Sequence, residues 1–338
     1  MHFNIYSQIP GYSKDNLQYR ETMHNVIRDS EVYNNTGTLV YYSNRQLDPW
    51  MLTTSILNNT EKLIPLVAAQ PYSQPPFTTA SMVQSLSLLY NRKVNLNFII
   101  GSTKSDHLSI DDQSDHNQRY ERLAEYMEVV KLLLSSSDSV SFKGDYYNIR
   151  NLAPKSEFDS SLMPEFFVAG SSSASKELAI RSADVLIVNP APYQIFKDDI
   201  ANSVRNSEIK LGVAMGIITR PTSIEAWKVA RDLFPITRKT RAQILLKRNA
   251  ESSSVKQLTE LALKKETYDE VYWLGAFLSG RVVSPYLVGS YSEVADYIKK
   301  YVKLGVENIV LNGPFDSKEF YHRDQMFQIL NSSLNLKV

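Results

Sequence analysis

The chain contains no cysteine among its 338 residues. That excludes disulfides, zinc–thiolate centres, iron–sulfur clusters and a cysteine nucleophile together. An excess of either charge is also missing: 37 Lys and Arg face 36 Asp and Glu, a formal net charge of +1. Such a balance leaves no basic footprint for nucleic acid or an anionic membrane surface. No hydrophobic run reaches the roughly 18 residues a membrane span needs. The first residues, MHFNIYSQIPGYSKD, lack the basic stretch and apolar core of a signal peptide, so a cytoplasmic address is expected.

Several chemical signatures are absent as well. There is no G-x-G-x-x-G for a dinucleotide and no G-x-x-x-x-G-K-[ST] for a nucleotide triphosphate. The serine cluster GSSSAS at 170–175 is not a G-x-S-x-G nucleophile elbow. The 5 histidines (His2, His24, His107, His116 and His322) show no H-x-x-x-H spacing, so no metal site is expected. What chemistry there is falls to a bound organic cofactor.

Hydrophobic residues make up 43% of the chain, enough for a large core. The length allows two domains or one large barrel. Eight β-type runs, 2–7, 37–42, 62–69, 93–100, 164–169, 184–188, 210–219 and 307–312, alternate with helical patterns. Their count and spacing predict a single (β/α)8 TIM barrel over 1–338, better than an open sheet. Asp115 is placed to cap a helix carrying Tyr120, Leu123, Met127, Val130 and Leu134. Ser290-x-x-Glu293 is a capping box, and Gly305 stands where a helix-ending glycine belongs. Three stretches break the alternation as insertions, at about 101–116, 135–163 and 237–280. The stretch 135–163 is polar, with a pattern of two short strands around Lys143-Gly144-Asp145. The stretch 237–280 is long, charged and mostly helical, the expected lid.

Gly170-Ser171-Ser172 closes one strand run and opens the helix SASKELAIRSA. Free backbone N–H groups, the positive helix end and two hydroxyls make that junction fit for a phosphate, although an ordinary serine cap reads the same way. Asn97 interrupts an apolar strand run and should point into the barrel near its C-terminal mouth, as a ligand contact or as a structural polar residue. Tyr120 sits with His116 and Arg119 at a helix start, on the apolar stripe, so core packing is its other reading.

The blocks IPLVAAQPYSQPPFTTASMVQSLSLLYNRKVNLNFIIGS, SDHNQRYERLAEYMEVVKLLL, FKGDYYNI, FFVAGSSSASKELA and YLVGSYSEVADYIKKYVKLGVENIVLNGPFDSKE resemble the bacterial-luciferase-like flavin monooxygenases, nearest the alkanesulfonate monooxygenase branch. The resemblance covers roughly 60–320. It implies a two-component enzyme that takes reduced FMN from a separate flavin reductase and oxidises an organic substrate with molecular oxygen through a flavin C4a-peroxide. It further implies that Asn97 contacts the flavin and that Tyr120, Gly170, Ser171 and Ser172 hold its phosphate. A homodimer is expected from the resemblance and from the apolar segment WLGAF.

The sulfonate side departs from that branch. An Arg and a His two apart on the seventh strand are replaced by Ala214 and Gly216. The active-site cysteine has no counterpart in YYSNRQLDPW, Pro314 replaces a tyrosine, and Gln70 stands for an arginine. Arg281, offset by one position, is the possible equivalent of a lid arginine and, with His116, a catalytic candidate. These changes predict a wider, less anionic pocket bounded by Tyr42, Trp50, Gln70, Asn189 and Trp273, for a free or carrier-bound organic substrate. A deazaflavin-dependent oxidoreductase and a non-catalytic flavin-binding barrel are the competing readings.

Overall fold

The computed structural model describes residues 3–101, 107–153, 158–250 and 252–334. Eight parallel strands close on themselves: β1 (Asn4–Gln8), β2 (Gly37–Val40), β3 (Ile64–Ala69), β4 (Asn95–Phe98), β5 (Phe166–Ala169), β6 (Val185–Val188), β7 (Lys210–Arg220) and β8 (Val306–Leu311). Each lies within one of the eight runs marked in the sequence, apart from one-residue overhangs at the ends of β1 and β7 and the start of β8. Closure is made by β7, which pairs with β6 and with β8, while β8 pairs with β1. This is the (β/α)8 barrel.

Alternation decides what fills the barrel. Tyr6 pairs in register with Val310, Leu39 with Leu66, and Phe167 with Val185. All six belong to one buried cluster, so they mark the inward face of the wall. The outward residues pack under the helices in a larger core, from Val67 and Leu96 to Ile309.

Local signals place the helices. Asp115 accepts hydrogen bonds from the N–H groups of Asn117 and Gln118, and Gln118 Oε1 accepts one from the Asp115 N–H, which starts the helix His116–Ser135. Ser290 and Glu293 make the same reciprocal pair ahead of the helix Tyr291–Lys303. Gly305 follows that helix with φ +97°, a conformation that favours glycine. The expected short hairpin is present as Val140–Lys143 paired with Asn148–Leu152.

One strand is not visible in the sequence pattern. Tyr286–Ser290 pairs with the outer half of β7, residue by residue from Gly216 to Arg220. Two short antiparallel strands, Thr267–Tyr268 and Tyr272–Trp273, extend it. The 237–280 insertion is therefore part helix and part sheet, anchored to the wall by main-chain hydrogen bonds. Within the described residues no helix is long and apolar enough to cross a membrane.

Candidate active site

At the C-terminal end of β5, Ala169-Gly170 turns into the helix Ser173–Ser182, with Ser172 as its N-cap accepting from the Ser175 N–H at 3.2 Å. Ser172 Oγ also lies 3.4 Å from the Tyr120 hydroxyl, which the first turns of the helix His116–Ser135 bring across. Ser171 Oγ is buried and has no hydrogen-bond partner. A buried hydroxyl left unpaired at a helix start asks for an acceptor from outside the chain. Gly170 keeps the cradle open: a Cβ there would stand 2.8 Å from Ser175 Cβ and 3.4 Å from the Tyr120 hydroxyl. His116 packs its ring edge against Tyr120 at 5.1 Å. Arg119, buried beside them, lines the same cleft of about 350 Å³. Backbone N–H groups, three hydroxyls and a guanidinium form a donor set that fits a phosphate.

The barrel mouth adds two acceptors. Asn97 pairs in register with the inward-facing Phe167 and therefore faces inward itself. Its Oδ1 is buried without a partner, and so is Oε1 of Gln70, one residue past β3. Tyr42 lies just beyond β2, edge-on to Tyr72 at 6.3 Å, and Tyr72 is edge-on to His107 at 5.1 Å. His107, absent from the sequence expectations for the site, is buried with Nδ1 3.1 Å from Asp112 Oδ2 and Nε2 unpartnered. The Nδ1–Asp112 contact fixes the ring, and Nε2 is the nitrogen left to meet a ligand. Burial pushes the Asp112 carboxyl upward, but hydrogen bonds from Arg122 and Ser114 outweigh it and hold the carboxyl well below the usual carboxylate range. The His107 ring occupies the open side of Gly101, where a Cβ would collide with Nε2. Residues 102–106 of that insertion lie outside the described residues.

On the side of the 237–280 insertion the structure differs from expectation at several residues. Asn189, just past β6, lines the cleft, but its Nδ2 donates to Ser254 Oγ at 2.7 Å and to the Val283 carbonyl at 3.1 Å. It ties the insertion to the barrel. Trp273 is not a pocket wall: it is 1% exposed, edge-on to Trp227 and Phe234, with Nε1 donating to Glu266. The rest of WLGAF is buried with it, so that segment offers no exposed patch for a second copy. Trp50 is likewise buried in the main core, its backbone N–H donating to the cap Asp48. Arg281 is exposed and donates to the Leu233 carbonyl at 2.7 Å, outside the cleft lining. Nor does Gly216 widen the pocket. A Cβ there would collide with the Tyr286 ring, which fills the space a larger side chain would take. Ala214, half-buried against the barrel interior, does leave room.

No group of three or more potential metal ligands occurs among the described residues. A family model described as luciferase-like monooxygenase matches residues 30–308. Among relatives, the 4-(gamma-L-glutamylamino)butanoyl-BtrI acyl-carrier protein monooxygenase BtrO of Niallia circulans is 39% identical over 321 residues, covering 94% of each chain. The EDTA monooxygenase of Chelativorans sp. BNC1 superposes with a TM-score of 0.78 at 16% identity, over 98% of this chain and 94% of the other. The oxygenating constituent of 3,6-diketocamphane monooxygenase from Pseudomonas putida, solved in complex with FMN, superposes at 0.69 with 14% identity, over 100% of both chains.

Proposed function

The chain belongs to the luciferase-like monooxygenases, and on that premise we propose that it binds reduced FMN, delivered by a separate reductase, and oxidises an organic acyl group carried on an acyl-carrier protein. The observation that carries the cofactor half is the unpaired Ser171 hydroxyl inside the Tyr120–Ser172 cradle. It is the atom a flavin phosphate would satisfy, and Gln70 and Asn97 offer acceptors at the barrel mouth for the N–H edge of the ring. The substrate half is supported by BtrO, named for a carrier-bound acyl substrate and alike over nearly the whole length.

Reduced flavin, when bound, supplies the two electrons with which one oxygen atom of O2 enters the substrate and the other leaves as water. The chain's own tasks are to orient that ring and to keep water away from it. Asn189 serves the water-excluding task by holding Ser254 and Val283 over the cleft. The sulfonate-binding cations are missing from β7, so the acyl group need not be anionic.

Titrating the apo-protein with reduced FMN, oxidised FMN and deazaflavin tests the cofactor. Tighter binding of reduced FMN than of either alternative is expected. Preference for the deazaflavin would replace the proposal with a hydride-transfer oxidoreductase. Oxygen consumption that the acyl-carrier substrate does not stimulate would remove the substrate half.

A further inference from the structure

We propose that the basic outer face of 237–256 is where the carrier protein docks, its tethered acyl chain entering the cleft past Ser252–Ser254. The proposal rests on the carrier-bound reading above and names the surface that reading requires.

Positive charge is concentrated in this segment. Residues 237–256 hold six Lys or Arg and one Glu, in a chain whose net charge is +1. The remainder is therefore net acidic, and this segment carries a local positive excess that an acidic partner can meet. Within the segment Arg241 is paired with Glu266 at 3.0 Å, and Lys247 is half-buried over the Phe277 ring at 4.8 Å. Arg238, Lys239, Arg248 and Lys256 are exposed. Two leucines sit among them on the helix Arg238–Leu246 in a way folding does not require: Leu245 is 49% and Leu246 79% exposed. Exposed cations and leucines on one short segment suit an acidic, amphipathic helix on the partner.

The face also has the right address. Ser252, Ser253, Ser254 and Val255, near the C-terminal end of this segment, line the cleft that holds the Tyr120–Ser172 cradle. Asn189 fixes Ser254 there. The same segment therefore carries both the exposed cations and part of the cleft wall that a thioester arm would pass.

The probe is the BtrI carrier protein loaded with 4-(γ-L-glutamylamino)butanoyl, fluorescently labelled and read by anisotropy. The same acyl group on free pantetheine serves as the carrier-free substrate. Replacing Arg238, Lys239 and Arg248 together by Glu should weaken carrier binding roughly tenfold or more, while FMN affinity and turnover of the pantetheine thioester stay as in wild type. Raising salt from about 0.05 to 0.5 M should weaken wild-type binding in the same direction, and Arg248→Glu alone should show part of the loss. Undiminished carrier affinity in the triple variant overturns the docking face and leaves the carrier-bound reading standing. Wild-type protein that oxidises the pantetheine thioester but binds no carrier at any salt overturns that reading, and the docking face with it. Binding to phosphatidylglycerol vesicles through the same three residues, without carrier binding, would reassign the face to a membrane and also overturn it.

Discussion

Ser171 and Ser172 are adjacent serines with different physical duties, and that difference can be measured. Ser172 caps a helix, so Ser172→Ala should lower stability by about 1 kcal/mol as well as weaken FMN. Ser171 Oγ bonds to nothing in the protein, so Ser171→Ala should leave the melting temperature nearly unchanged and cost FMN about 1–2 kcal/mol of binding, the scale of a charge-assisted hydrogen bond. Unchanged FMN affinity in Ser171→Ala, by calorimetry, would count decisively against the cradle. Asp112 gives a pH test at the same scale. Its carboxyl is held below its ordinary value by Arg122 and Ser114, so its stabilisation is present above the unfolded value of about 4 and is lost as pH falls below it. Asp112→Asn should therefore melt lower at neutral pH and show a flatter decline between about pH 5 and 3; parallel curves would contradict this. The serines and Tyr120 were legible in the sequence because a strand end, a cap and a helix start are written locally. His107 was not. Its significance depends on Asp112, on Arg122 of another element and on the missing Cβ of Gly101, which only the fold brings together.

At the scale of elements, Asn189 and the 237–280 insertion form one device. Two hydrogen bonds from a single amide hold Ser254 and Val283 at the cleft. Asn189→Ala removes both and should leave the barrel folded while loosening the insertion. Limited trypsinolysis is the measurement: the first cuts are expected within 238–256, several-fold faster in Asn189→Ala and slower with reduced FMN bound. First cleavage elsewhere in both proteins would deny the insertion its role as a lid. Periodicity foretold all eight wall strands and the capped helices, because each has its own 2- or 3.6-residue pattern and its own end signals. It did not foretell Tyr286–Ser290, a short stretch whose strand character comes from pairing with the outer half of β7. Trp50 and Trp273, expected at the pocket, are both buried in packed clusters. An indole marks a place where much area is buried, and only tertiary packing says whether that place is a site or a core.

Association with a second copy and the choice of substrate belong to the molecule as a whole. With WLGAF buried, dimerisation rests on the family resemblance alone, and we propose it on that ground; a sedimentation mass of one chain at micromolar concentration would refute it. The charge of the substrate is constrained by the cleft itself. A sulfonate is a compact anion, and burying it without paired donors costs several kcal/mol. The basic side chains lining the described cleft, Arg119 and His116, stand beside Tyr120 and the Ser171–Ser172 turn, and Arg281, outside that lining, is turned to the Leu233 carbonyl. Restoring the sulfonate-type pair on β7 is blocked by packing as well as by sequence. Gly216→His must displace the Tyr286 ring and should destabilise by about 1–3 kcal/mol or more; combining it with Tyr286→Ala should recover part of that loss. The two faults predict one outcome. With a flavin reductase, FMN and NADH present, octanesulfonate should yield no sulfite above background. Release on the order of 1 per second, the pace of an ordinary enzyme, would mean that a cation reaches the cleft from a place this fold does not show, and the expectation of an acyl group without net negative charge would fall.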